Sequence, residues 1–588
     1  MFNLKLAFRT LFKTPFVTVV AALSLALGIG ANAAIFSLFD QMLRRPLPVQ
    51  QPERLVNFSA PGPKPGSTSC GVAGSCEDVF SYLMFRDLER VQTSFTGIAA
   101  HVEFGANVGY NKQTVNAEGM FVSGSYFALL GIRPALGQLF TPADDQTMGS
   151  HFVVVVSHRF WENRLGANPA VLNQTVIVNG QPMTIVGVTP RGFDGTTLGS
   201  RPAVYVPISM RGVMNSNWRG FEERRSYWAY LFGRLKPGVS LEQAQTAINV
   251  PYRQILADVE GPLQSGMSEQ TRTRFLARQI TLSDGRRGQS DIHTEATTPI
   301  LLLFTLTGIV LLIACANIAN LLLARAAGRE LEVAVRLSLG GTRAHVLAQL
   351  LTESVLLAVL GGVVSLAFAH WTLAFITSMM PSEATLTFAL SWPTVGFAFT
   401  LAVLTGLLFG LFPALHSTRP DLVTALRNSE GRLSSGKQAT RFRATLVTAQ
   451  IALSMALLTS AGLFIKSLRN VSRVDLGLDV DNVMTFRIVP SRNGYDSTRI
   501  HSLYARVEEE LAALPGVTDM SAATVPLIGG SNWGTNVSVE GFQQDADTDA
   551  NSRYNLVGVD YFQTVGVQLL AGREFTRADL RGAPRVAL

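Results

Sequence analysis

The residues with the richest chemistry in this chain are three cysteines and a scatter of histidines. Cys70 and Cys76 close a short glycine-containing loop, TSCGVAGSCED. That spacing leaves two states open: a disulfide, if the loop faces an oxidising compartment, or a pair of free thiols. A zinc site is disfavoured because no second Cys/His pair stands at ligand spacing. Cys315 lies inside an apolar run and reads as a small buried hydrophobe. His101, His151, His158 and His293 fall far apart and read as structural or solvated side chains. Ser157-His158 looks like a nucleophile beside a base, but a strand-to-turn junction commonly carries such residues. No G-x-x-x-x-G-K-[ST] occurs, so the chain has no P-loop to cradle ATP. No catalytic residue, metal or cofactor is expected, and the chain does not read as an enzyme.

The elements that would position any such residue are dominated by membrane segments. Hydrophobic residues make up 47% of the 588 and charged residues 15%, against roughly 25% charged in an average soluble domain. The deficit is concentrated in five runs, 16–39, 300–324, 354–380, 394–415 and 445–465, each near the ~20 apolar residues that span a bilayer. The first run is too long for a secretory signal, and its arrangement returns at the fifth, so it reads as a retained anchor. A formal net charge of +7 without a basic block interleaved with aromatics gives no support to nucleic-acid binding.

Basic flanks orient the segments. Lys5, Arg9 and Lys13 precede the first; Arg325, Arg329, Arg336 and Arg343 lie between the second and third; Arg419, Arg427, Arg432, Lys437, Arg441 and Arg443 lie between the fourth and fifth. The stretch 381–393 has none. Arg44, Arg45, Lys466, Arg469 and Arg473 run against the rule, yet alternation leaves one topology. The N-terminus is then cytoplasmic, with 40–298 and 467–588 outside.

Apart from Glu353 at the inner boundary, the five runs hold no Asp, Glu, Lys or Arg. A charge at the bilayer centre costs ~2.5–3.5 kcal/mol on insertion scales. A channel or proton-coupled carrier would need such groups, so both are disfavoured. Asn317 and Asn320 read as an interhelical hydrogen-bonding pair. Gly30 with Ala34, and Gly406 with Gly410, make small-x-x-x-small steps, which allow close helix packing within one chain or between two copies.

The outer region reads as mixed α and β. HFVVVVSHRFWENRLG passes from a strand into an amphipathic helix. QTVIVNGQPMTIVGV is two alternating runs joined by Asn179-Gly180, a hairpin signal because both turn positions need φ > 0. Ser240 with Gln243 is a capping box. A long-range duplication is the most informative feature. YFALLGIRPALGQLFTPAD (126–144) aligns without gaps to YFQTVGVQLLAGREFTRAD (561–579). HFVVVVS follows the first copy, whereas RVAL follows the second. The pattern predicts one complete unit followed by the first part of another, a truncated product lacking three further helices.

This layout resembles the MacB/FtsX family of ABC-transporter permeases, over nearly the whole chain. The resemblance rests on LKLAFRTLFKTPFVTVVAALSLALGIGANAAIFSLFDQML, on YFALLGIRPALGQLFTPAD and VIVNGQPMTIVGVTPRGF, and most specifically on RELEVAVRLSLGGTRAHVLAQLLTES and FPALHSTRPDLVTALR. The doubling is similar to that of duplicated acidobacterial permeases. It implies a membrane protein: an α-helical bundle of five transmembrane helices with mixed α/β extracytoplasmic domains of MacB periplasmic-core type. The implied domains are 1–39 with the first helix, 40–298 as a periplasmic core, 299–416 as an FtsX-like three-helix permease, 417–443 as a cytoplasmic linker, 444–466 as the fifth helix, and 467–588 as a second, truncated core. The resemblance also points to Arg329, Glu330, Glu332, Arg336, Gly340 and Arg343 as coupling residues that dock an ATPase. Leu331, Val335 and Leu339 form an apolar stripe there, and a helix lying in the lipid headgroups would read the same way.

The implied function is the permease subunit of an exporter in the bacterial inner membrane, driven by a separate ABC ATPase. Implied partners are the lipid bilayer, a periplasmic adaptor or outer-membrane channel, and a second copy in a homo- or pseudo-dimer. The alternative is a membrane scaffold or signalling protein that organises envelope enzymes without transport.

Overall fold

The computed structural model describes residues 15–214, 218, 220–264, 266–327, 335, 338, 342–379, 389–417, 437–479, 482–529, 532–541, 550–579, 583–584 and 586–588. The chain divides into two compact units, one of Met1–Arg45 with Asp291–Ser472 and the other of Pro46–Ser290 with Arg473–Leu588.

The first unit is helical. Its long helices are α1 (Pro15–Phe39), α2 (Thr297–Ala327), α3 (Arg343–Met379), α4 (Trp392–Ser417) and α5 (Lys437–Val471). Among the described residues, five helices are long and apolar enough to cross a membrane. In hydrocarbon a helix is favoured because each backbone polar group finds its partner within the segment. Several sequence-derived bounds need correction. A π-helical turn, Asp40–Arg44, extends α1, so the outer domain begins later than residue 40. It also ends before 298, since a short helix, Ile292–Glu295, already belongs to the helical unit. The fifth helix begins at Lys437 and runs to Val471, which shortens the linker expected over 417–443 and lengthens the span expected over 444–466. Hydropathy fades at the first charged residues, whereas helical hydrogen bonding continues through them.

The second unit is built on an eleven-stranded mixed sheet. In chain order its strands are β1 (Leu55–Ser59), β2 (Val79–Phe80), β3 (Phe95–Tyr110), β4 (Gln113–Val122), β5 (Leu136–Gly137), β6 (Val153–Val156), β7 (Thr175–Val178), β8 (Gln181–Val188), β9 (Val204–Pro207), β10 (Ala229–Leu235) and β11 (Thr281–Asp284). The path runs β11-β1-β10-β3-β4-β9-β6-β8-β5, with β2 on β10 and β7 joining β3 to β8. Pairing is antiparallel except for β9 on β4 and β6 on β8. β10 is buried along its whole length, as a central strand covered on both faces must be. The main hydrophobic cluster holds Phe85 and Leu88 from the helix Tyr82–Val91 and Ile248 and Tyr252 from the helix Leu241–Ile255. A second cluster gathers Tyr126, Phe127, Phe193 and Tyr205.

Local signals act as their chemistry requires. Asn179 and Gly180 have φ of 47° and 79°, the left-handed pair that a tight hairpin turn needs. Ser240 and Gln243 form a reciprocal capping box. Residues 473–588 contribute mostly short pieces: the helix Ser497–Ala512, a ladder pairing Gly534–Asn536 with Asn551–Arg553, and a helical turn at Tyr561–Thr564.

Candidate functional site

Small residues set how closely the membrane helices approach. A Cβ on Gly30 of α1 would stand 2.9 Å from the Ser365 carbonyl oxygen of α3, and Ala34 is fully buried. On α4, a Cβ at Gly406 would meet Val355 Cα at 3.0 Å, and one at Gly410 would meet Ser354 Cβ at 2.6 Å. Both steps therefore lie at contacts within the chain, centred on α3. α3 contributes a doublet of its own, Gly361 against Leu25 and Gly362 against Ala402. That doublet also sits in small-x-x-x-small frames, Ala358 with Gly362 and Gly361 with Ser365.

The polar contact between spans differs from expectation. Asn32 of α1 donates to the Thr307 carbonyl of α2 at 2.8 Å, and the Thr307 hydroxyl donates to Asn32 Oδ1 at 3.2 Å. Asn317 and Asn320 form no such interhelical bond among the described residues, and Asn320 Oδ1 has no partner there. One amide facing a neighbouring helix suffices for the bond, and sequence spacing does not say which amide faces it. Glu353 is buried on α3, where its Oε1 accepts from Gln349 Nε2 at 3.3 Å.

Five of the six expected coupling residues, Arg329, Glu330, Glu332, Arg336 and Gly340, lie outside the described residues. Arg343 is exposed in the first turn of α3. Just before it, the Thr342 hydroxyl accepts the His345 amide at 3.4 Å, an N-terminal cap.

In the outer unit Cys70 and Cys76 are joined as a disulfide, with Cα atoms 5.1 Å apart. Lys64 braces the same segment, donating to the carbonyls of Cys76, Glu77 and Val79 at 2.7–2.8 Å. Burial, helped by nearby Arg278, pulls its ammonium down to about 7. His101 is fully buried, bonded through Nε2 to Gln289 Oε1 at 2.7 Å, and burial lowers it to about 4. It is therefore neutral at physiological pH, packed among Tyr126, Tyr230 and Phe232. Ser157 caps the helix His158–Arg164 by accepting the Phe160 amide at 3.3 Å, which accounts for its place beside His158. His293 Nδ1 lies 2.8 Å from the Met42 carbonyl oxygen in the helical unit. Among the described residues no group of three or more His, Cys, Asp or Glu could hold a metal.

Comparison with known proteins decides the family. Residues 18–250 match the model of the MacB-like periplasmic core domain, and residues 304–422 match the FtsX-like permease C-terminal model. Together they cover more than half of the chain. The chain belongs to the MacB/FtsX-type permease family. Relatives include YknZ, an ABC transporter permease of Bacillus subtilis, 21% identical over 72% of this chain and 98% of its own length. The macrolide export ATP-binding/permease protein MacB of Salmonella typhi is 28% identical over 53% of this chain and 43% of its own. The pyoverdine export ATP-binding/permease protein PvdT of Pseudomonas savastanoi is 25% identical over 49% of this chain and 40% of its own. The match thus spans less than half the length of those two fused relatives. Among solved structures, the periplasmic region of MacB from Actinobacillus actinomycetemcomitans aligns over 40% of this chain and 90% of its own, at 14% identity and a TM-score of 0.28.

Two features escaped the sequence reading. Asn32 carried no signal beyond being an amide in an apolar run. Arg211, Arg492 and Glu103, which line one cleft of the outer unit, come from segments far apart in the chain.

Proposed function

We propose that this protein is the permease subunit of an ABC transporter. It couples ATP hydrolysis by a separate ATPase to movement of its outer domain, and so extrudes a substrate taken from the outer face of the bacterial inner membrane. One observation carries the reading. The outer domain is inserted between α1 and α2, and these helices pack directly on each other, a Cβ at Gly28 standing 3.0 Å from Leu311 and Asn32 bonded to Thr307. Apolar runs with no charge apart from Glu353 at their boundary, held at glycine contacts, suit rigid levers better than a polar conduit. A displacement of the cytoplasmic ends of α2 and α3 would reach both attachment points of the outer domain. The export proteins among its relatives and the basic flanks of its cytoplasmic segments support the same orientation and task.

The Arg329–Arg343 stretch is the proposed docking element for the ATPase, and a periplasmic adaptor or a second copy would complete the assembly. Arg336→Glu is expected to abolish co-purification with the partner ATPase while leaving membrane insertion intact. Unchanged co-purification would overturn the docking assignment. Capture of envelope enzymes without any P-loop ATPase would favour a scaffold instead.

A further inference from the structure

The outer unit holds a cleft of ≈ 480 Å³ whose walls come from β3, β4, the β7–β8 turn, the Arg211–Met214 turn and the segment 489–500. Two guanidinium groups line it, and among the described residues neither has a carboxylate partner. Arg211 packs against two indoles that meet edge to face, its Cζ 4.4 Å from the Trp218 ring centre and 4.1 Å from that of Trp228. Its Nη1 is buried and makes no hydrogen bond to the described residues. Burial lowers it to about 9, so it remains charged at neutral pH. Arg492 lies directly over Gly105, where any side chain on β3 would collide with the guanidinium. The turn that carries Arg492 is fixed there, since Asn107 Nδ2 donates to Asn493 Oδ1 at 2.9 Å and the Gly180 turn abuts Gly494.

Two carboxylates also reach the cleft, and neither neutralises these cations. Asp496 is committed to its own helix, accepting the Arg499 amide at 2.9 Å. Glu103 is raised to about 7, chiefly by burial and further by Glu118, which leaves it about half protonated at neutral pH. A buried ion without a partner is unfavourable, and a buried donor with no acceptor in a folded protein calls for an explanation. A guanidinium presents a planar fork of N–H donors that matches a carboxylate or a phosphate. Beside the two cations the lining is mixed: Asn179, Gln181 and Ser491 give it polar groups, and Phe104 and Phe121, stacked at 4.1 Å between ring centres, give it an aromatic wall.

We infer that this cleft is a binding site for an oxyanion carried on an apolar, preferably aromatic, body, with Arg211 and Arg492 as its cationic ligands. Cation–π contact with the indoles holds Arg211 in place, and its Nη1 is left without an acceptor among the described residues. The site stands on the geometry of the outer unit alone, so its failure would leave the permease reading intact, and the reverse also holds.

The test is calorimetric titration of the full chain in phosphatidylcholine nanodiscs with naphthalene-2-carboxylate, against naphthalene-2-methanol as the uncharged counterpart. Saturable binding of the carboxylate is expected, at least tenfold tighter than the alcohol. Arg492→Gln should weaken it at least tenfold, while Arg506→Gln, on an exposed face of the helix Ser497–Ala512, leaves it unchanged. Arg211→Gln should act like Arg492→Gln; because its packing against the two indoles makes that variant prone to misfold, Arg492→Gln is decisive. Equal binding of the alcohol, no saturable binding of the carboxylate, or full affinity in Arg492→Gln would overturn the inference.

Discussion

The two copies of the repeated segment fold alike and pack differently. In the first, Tyr126–Leu130 is a helical turn closed by Gly131 at φ 67°; in the second, Tyr561–Thr564 is a helical turn followed by Gly566 at φ 73°. Asp144 Oδ2 accepts from the Thr141 amide and hydroxyl at 2.8 and 2.9 Å, and Asp579 Oδ2 accepts from the Thr576 amide and hydroxyl at 2.8 and 3.1 Å. Yet Tyr126 and Phe127 are essentially fully buried against Tyr205, Phe193 and Phe232, whereas Tyr561 and Phe562 are partly open. The same holds for the helices that precede the copies. More than half of the most apolar stretch of α1 is buried by its neighbours, and none of the corresponding stretch of α5 is. A short motif can specify its own turn and cap, but burial requires partners from elsewhere in the chain.

Paired substitutions put this contrast to the test. The largest effect is expected from Phe127→Ala, which should destabilise the outer unit by ~3–5 kcal/mol through a buried cavity. Phe562→Ala should cost less than about 1 kcal/mol, as substitutions away from a core do. Urea unfolding followed by tryptophan fluorescence would read both, and equal losses would remove the contrast. Next, Gly30→Leu should cost ~1–3 kcal/mol by overpacking α1 against α3. Gly462→Leu on α5, where an added Cβ would meet open space, should leave the thermal midpoint in detergent unmoved. Asp144→Ala should then cost ~1 kcal/mol as a lost cap. The matching change at Asp579 should raise hydrogen exchange at the Thr576 amide without altering global stability.

A separate effect, read against pH, comes from the first copy's domain. Glu103 has a folded-state pKa raised from 4.5 to about 7. The folded state therefore holds a proton that the unfolded state releases between these values, so this group lowers stability as pH rises through that window. His101, lowered from 6.5 to about 4, acts in the opposite sense between pH 4 and 6.5. Comparing wild type with Glu103→Gln isolates the first contribution: the variant should lose less stability from pH 5 to 7 than wild type. Identical slopes would show that Glu103 is ionised in the fold.

Much of the architecture was legible because its causes are local or periodic. Five apolar runs became five long helices, Asn179-Gly180 became a hairpin turn, and Ser240 and Gln243 became a capping box. Helix ends were less legible, because α3 and α5 continue through polar residues where hydropathy falls away. The cleft was not legible at all. Its two arginines and Glu103 acquire meaning only when β3, the Arg211 turn and the segment around Arg492 are brought to one place.

The sequence by itself determined the spans, the local turns and caps, and the MacB/FtsX resemblance, since each depends on residues close in the chain or on a repeated pattern. Tertiary structure alone decided which glycines touch which helix, that among the described residues Asn32 rather than Asn317 or Asn320 bonds across the spans, and which copy of a shared motif is buried. It also decided that Arg211 is left charged, enclosed and without an acid partner among the described residues. Burial and charge pairing are properties of long-range contacts, and no stretch of sequence carries its own partners.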